Sequence, residues 1–124
     1  MKHVLIALVS FFSISLYAGE SLTINCRTSS GYFKVSLPKD CERICSVDVD
    51  SKDYEGFKGT MLRYYPGESE IPHVNVDGSN SNGHVNAIIN NAFSGGYGYG
   101  FADLEEEISR RVLRRIQLYD CLMN

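Results

Sequence analysis

Apolar and polar residues alternate with a period of two along the first part of the chain beyond residue 20. Leu22, Ile24 and Cys26 fall on one side and Thr23 and Asn25 on the other, the pattern of a strand buried on one face. Residues 28–31, polar and ending in Gly31, predict a turn, and Phe33, Val35 and Leu37 then resume the alternation as far as Pro38. The two runs together predict an antiparallel hairpin. A third strand is expected over 44–49, where Val47 and Val49 share a face. A fourth is expected over 59–65 and a fifth over 71–76, with the Pro- and Gly-containing turn 66–69 between them.

Near residue 80 the spacing changes. Val85, Ile88, Ile89, Ala92 and Phe93 fall at i, i+3, i+4, i+7 and i+8, which predicts one apolar stripe of a helix. Asn80 or Ser81 would cap its start and Gly95 would take the left-handed position beyond its end. A second helix is expected over 103–122, with Leu104, Ile108, Val112, Ile116 and Tyr119 as its stripe and Asp103 as its cap. Glu105, Glu106 and Glu107 then precede Arg110, Arg111, Arg114 and Arg115. That order suits the helix dipole and predicts Glu106–Arg110 and Glu107–Arg111 pairs four apart. The expected fold class is α+β: an antiparallel sheet of four to five strands followed by two helices packed on one face. No repeat and no linker divides the chain, so residues 19–124 are expected to form one domain.

The first eighteen residues stand apart from this pattern. Lys2 and His3 are followed by an apolar run from Val4 to Phe12 and by a small residue, Ala18, at a cleavage edge. Positive start, short apolar core and small residue make a secretory signal, cleaved near Ala18, that is too short to span a bilayer. Export to the periplasm, with an oxidising environment, is the implied localisation. Loss of residues 1–18 removes one lysine and no acid, so the formal charge of −3 becomes one unit more negative. An acidic balance argues against a nucleic-acid partner and against an anionic membrane surface.

Four cysteines remain: Cys26, Cys41, Cys45 and Cys121. An even count in a short exported chain predicts two disulfides. A Cys41–Cys45 bridge would close only a small loop, so the favoured arrangement joins Cys26 to one of that pair and Cys121 to the other. That would tie the first strand and the last helix to one central segment. The spacing of Cys41 and Cys45, with His73 and His84, does not match the common zinc patterns, and no metal or cofactor is expected.

The residue types of catalysis occur without the spacing that catalysis requires. Asp48, Asp50, Asp53 and Glu55 cluster, but acids alternating with Val on a strand read as its solvated side. Asp77, Ser79 and His84 hold the elements of a hydrolytic triad, yet no strained Gly-x-Ser-x-Gly turn surrounds the serine. Residues 95–100 are glycine-rich but lack the Lys-Ser/Thr ending of a phosphate loop. The chain is therefore read as a binding protein and not an enzyme.

Two segments are candidates for partner binding. The polar stretch 77–84 contains Asp77, Ser79, Asn80, Asn82, Gly83 and His84, short donors and acceptors with little side-chain entropy to lose. The loop 95–100 presents Tyr97 and Tyr99 on a glycine backbone, and tyrosine is a rigid contact residue with a hydrogen-bonding tip. The Arg cluster 110–115 reads as a solvated helix face.

With its signal at 1–18, its small acidic domain and its paired cysteines, the chain resembles the periplasmic immunity proteins of type VI secretion systems. It is similar in particular to those that antagonise a spike-borne, lysozyme-like peptidoglycan hydrolase. The resemblance implies that a protruding segment occludes the active site of a cognate effector, protecting the producer and its kin, and that a homodimer is possible. It transfers no residue roles, because such families share no catalytic signature. The alternative is an exported adhesin-like module that binds a glycan or surface component, with tyrosines lining an open groove.

Overall fold

The computed structural model describes residues 21–64, 71–93 and 95–124. The export signal expected over 1–18 and the turn expected at 66–69 lie outside the described residues. Eight strands follow one another: β1 (Ser21–Thr28), β2 (Gly31–Pro38), β3 (Ile44–Ser51), β4 (Phe57–Tyr64), β5 (His73–Asn80), β6 (Gly83–Asn90), β7 (Gly98–Glu105) and β8 (Val112–Met123). Each pairs antiparallel with the next, and β1 pairs with β8, so the sheet closes into a barrel. The turns after β1, β3, β5 and β7 gather at one rim, the first rim. The connections after β2, β4 and β6 gather at the second.

The α+β expectation is thus overturned: both expected helices are strand. In β6, Val85, Ala87 and Ile89 alternate inward with no exposed surface, while Ile88 points outward. A stripe counted at i, i+3, i+4 had skipped Ala87, and the β-branched residues favour the extended form. Over 103–122 the apolar residues Leu104, Ile108, Val112 and Ile116 are four apart, an even spacing that also satisfies alternation. Ile116 and Leu118 are interior, and Ile108 is 97% exposed in the turn between β7 and β8. Charge pairs do form there, but across that turn and one position out of the expected register: Arg110 to Glu105 at 3.3 Å, and Arg111 to Glu106. Asp103 is no cap. It is buried on β7 opposite Arg115 of β8, which donates to it at 2.6 and 2.9 Å. The Arg cluster is not a helix face: Arg110 and Arg111 pair across the β7–β8 turn, Arg114 reaches Asp53 in the β3–β4 connection, and Arg115 alone pairs across strands. Gly95 does adopt a left-handed φ of 83°, as a loop residue beyond β6.

Side chains fill the barrel. Ile24, Phe33, Val35, Met61, Val74, Val76 and Ile89 are fully buried, while the intervening positions face outward and are mostly polar. A barrel of eight strands has an interior just wide enough to be filled this way. An apolar inside with a polar outside is the inverse of the apolar outward band of a membrane barrel. Tyr54, from the β3–β4 connection, closes the first rim. It is 2% exposed, and its one hydroxyl hydrogen is shared between the carbonyls of Ala102 and Arg114, each 3.1 Å away. Those carbonyls lie on β7 and β8 beside the register shift between Leu104 and Glu105.

Two disulfides form, Cys26–Cys121 and Cys41–Cys45, which corrects the expected pairing. Closure explains it. Cys26 and Cys121 both point inward where β1 meets β8, with their Cα atoms 4.0 Å apart, so the first and last strands are bonded to each other. Cys41 and Cys45 staple the β2–β3 connection. Disulfides indicate an oxidising compartment outside the cytoplasm.

Candidate functional site

The polar stretch 77–84, expected to lead into a helix, is a β-hairpin. Register pairs Asp77 with Asn86, Ser79 with His84 and Asn80 with Gly83, so Ser81 and Asn82 form a two-residue turn at the first rim. Gly83 is required here. Its φ is 144°, and a Cβ would lie 2.5 Å from the carbonyl oxygen of Glu105 on β7.

The turn is braced from a neighbouring loop. Glu55, between β3 and β4, accepts from Ser81 Oγ at 2.6 Å and from Asn82 Nδ2 at 3.2 Å. Asn80 Nδ2 donates to the Glu55 carbonyl at 3.0 Å, and the Asn82 amide closes an Asx turn onto Asn80 Oδ1 at 2.8 Å. These contacts hold the backbone of the turn in one conformation. Glu55 had been read only as part of an acidic run. No local signal marks its role, because the bonds span 25 to 27 residues.

Behind the turn runs a chain of hydrogen bonds. Asn86 Nδ2 donates to Asn75 Oδ1 at 3.0 Å and to Asp77 Oδ1 at 3.3 Å, and His84 Nε2 contacts the same Asp77 oxygen. His84 Nδ1 lies 3.3 Å from Ser79 Oγ, which lies 2.9 Å from Glu107 Oε1. The structure thus brings Asp77, His84 and Ser79 together. The carboxylate of Glu107 has no hydrogen to give, so the Ser79 hydroxyl donates to it. A nucleophile must instead direct its hydrogen at the base. His84 is 5% exposed and Ser79 is tied to the β7–β8 turn, so the set joins two hairpins. A shallow polar cleft lies between their turns, lined by Ser79, Asn80, Ser81, Asn82, Gly83, Glu106, Glu107 and Leu113.

Tyr97 and Tyr99 do not join this group. Tyr97 precedes β7 and Tyr99 lies at its start opposite Asn90, so both belong to the second rim, at the other end of the barrel from Asn80 and Gly83. Both are exposed. Of the expected partner-binding residues, Asp77, Ser79, Asn80, Asn82, Gly83 and His84 are gathered at the first rim, and the two tyrosines are separate. Cys26, Cys41, Cys45 and Cys121 lie in the two bridges described above.

Asp53 anchors the same rim. Its side chain is 3% exposed and contacts Ser30 Oγ, while Thr28 Oγ1 donates to it at 2.8 Å and Arg114 at 3.2 Å. Burial alone would raise its pKa. The two hydroxyl bonds and the Arg114 charge outweigh burial and hold it below the ordinary 3.8. A depressed carboxylate contributes stability that is complete above its unfolded pKa and is lost as pH falls through the folded one. Stability is therefore expected to hold from neutral pH down to about pH 4 as far as this group is concerned, and then to decline. An Asp53→Asn variant should show a shallower acid limb in urea midpoints measured against pH; an unchanged limb would assign the acid sensitivity elsewhere.

Comparison with family models, with characterised proteins and with solved structures finds no match to the chain.

Proposed function

We propose that the protein is an exported immunity protein of the type VI secretion kind, cleaved near Ala18 and acting in the periplasm. In this reading it binds a cognate peptidoglycan-cleaving effector and blocks its active site with the β5–β6 turn. The observation that carries the reading is the bracing of that turn by Glu55. A polar turn already tied to a neighbouring loop on a stapled barrel has little entropy left to lose when it meets a partner. The donation of the Ser79 hydroxyl to Glu107, away from His84, favours binding over chemistry as the work of this rim.

Within the segment the roles divide. Ser81 and Asn82 are exposed at the tip and would meet the partner, with Asn80 beside them. Gly83 permits the close approach to β7, while Asp77, Ser79 and His84 support the turn from behind. Tyr97 and Tyr99, at the far rim, would take no part in the same contact.

A Ser81→Ala/Asn82→Ala variant, which removes the two tip groups together with their bonds to Glu55, is expected to weaken binding by at least about 2 kcal/mol, the scale of an interface hot spot. The measurement is titration calorimetry against the hydrolase domain encoded by the neighbouring gene, with cell-wall lysis as the functional readout. Undiminished binding by this variant would move the contact away from the turn. Failure of the parent protein to bind would remove the immunity reading itself.

A further inference from the structure

We infer that the barrel carries a second binding surface, a strip of tyrosines across its outside that takes a neutral glycan strand of the cell wall. The strip follows from strand register. Arg27 of β1 pairs with Tyr32 of β2 on one side and with Tyr119 of β8 on the other. Between β7 and β8, the pairs Gly98–Cys121 and Gly100–Leu118 leave Tyr99 opposite Tyr119 and Asp120. Asp120 has a φ of 49°, where β8 bulges. Four consecutive strands therefore set Tyr99, Tyr119, Arg27 and Tyr32 in one transverse row, at about 4.8 Å per strand. Their chain neighbours Cys26, Phe33 and Leu118 are interior, so the row itself faces out. Tyr99, Tyr119 and Tyr32 are 47%, 48% and 44% exposed. Arg27 is held by Asp120 at 3.2 Å, and the Tyr32 hydroxyl lies 3.4 Å from Asp50.

Two properties of the row select its occupant. The rings are interrupted by a polar group, since Arg27 separates Tyr119 from Tyr32. That breaks up the contiguous apolar area on which a protein interface builds its dry centre. A sugar chain has the matching alternation, with small apolar faces to lie on the rings and hydroxyl and amide groups to bond Arg27, Asp120 and the tyrosine tips. The second property is charge. Arg27 and Asp120 cancel, and the whole chain has a formal charge of −3, so a polyanion is repelled and a neutral chain is not. In the periplasm, where the reading proposed above puts this protein and on which this choice of occupant rests, the glycan backbone of the cell wall is a neutral, N-acetylated polymer. The row lies on a convex face open at both ends and not in the tyrosine-lined groove expected of an adhesin-like module. A strand can lie across it where a free sugar would not be held.

The row uses no residue of β5 or β6, so the inference is independent of the inhibitory turn, and its test needs no partner enzyme. The purified protein is titrated with a soluble N-acetylglucosamine hexamer while backbone amide shifts are followed by NMR, and is co-sedimented with purified sacculi. Saturable shifts confined to β7, β8, β1 and β2, with retention on sacculi, are expected. A Tyr99→Ala/Tyr119→Ala variant should bind the hexamer at least about tenfold more weakly, with the same dispersed spectrum as the parent. Tyr64→Ala, on β4, should bind as the parent does. The inference is overturned if neither the hexamer nor the sacculi are bound, or if the double variant binds undiminished. It is also overturned if sedimentation shows copies of the chain associating through this row, with the double variant restoring the monomer.

Discussion

A Cys26→Ser/Cys121→Ser variant is expected to be about 5 kcal/mol less stable than the parent. The bridge spans 95 residues of sequence, and on the chain-entropy relation a loop of that order removes about 4.7 kcal/mol of freedom from the unfolded state. Both sulfurs are interior where β1 meets β8, so the two serine hydroxyls would also be buried among apolar side chains. The Cys41–Cys45 bridge spans 4 residues and is expected to contribute about 2 kcal/mol on the same relation. Urea unfolding of the two double-serine variants compares them directly. Equal losses, or a larger loss at Cys41 and Cys45, would show that barrel closure does not depend on the tie between its ends.

The second large effect is expected at Tyr54. Truncation to Ala removes the ring that closes the first rim and should cost about 3–5 kcal/mol, the range for deleting a buried aromatic side chain. Tyr54→Phe separates packing from hydrogen bonding. It keeps the ring and removes the hydroxyl hydrogen that the carbonyls of Ala102 and Arg114 share, at an expected cost of about 1–3 kcal/mol. Burial pushes the Tyr54 hydroxyl above its ordinary pKa of 10.0, so it retains its hydrogen for these carbonyls through the neutral range. Denaturant midpoints of both variants decide the matter. A neutral Tyr54→Phe would mean that water satisfies the carbonyls and that the ring acts by volume alone.

Much of the sheet was legible in the chain. The hairpin of β1 and β2 and the third, fourth and fifth strands were expected within a few residues of where they lie. The two misassigned helices share one cause. Spacings of three, four and eight were counted in segments whose alternation was equally good, as at Val85, Ala87 and Ile89. Asn82-Gly83 between alternating runs is a strong local signal for a tight hairpin, and it argued for strand on both sides. The same signal would have put the turn at Asn82 and Gly83, one position beyond the observed Ser81 and Asn82, and set Tyr97 and Tyr99 one strand length away. The bracing of that turn by Glu55 had no comparable trace, since Glu55 and Asn82 meet only across two loops.

Alternation along each strand belongs to the sequence, because the side of a pleat that a residue occupies depends only on its parity within the strand. An even number of cysteines in a chain whose first residues read as an export signal likewise carries the expectation of two disulfides without any knowledge of shape. Tertiary structure decided the rest. Whether β8 returns to β1 depends on accumulated twist and tilt over all eight strands, which no local window contains. Once the sheet closes, Cys121 faces Cys26, Arg114 reaches Asp53, and Tyr54 spans two strands about fifty and sixty positions further along the chain. Those partners are neighbours through register and closure alone, and so the site that the turn forms with Glu55 exists only in the folded barrel.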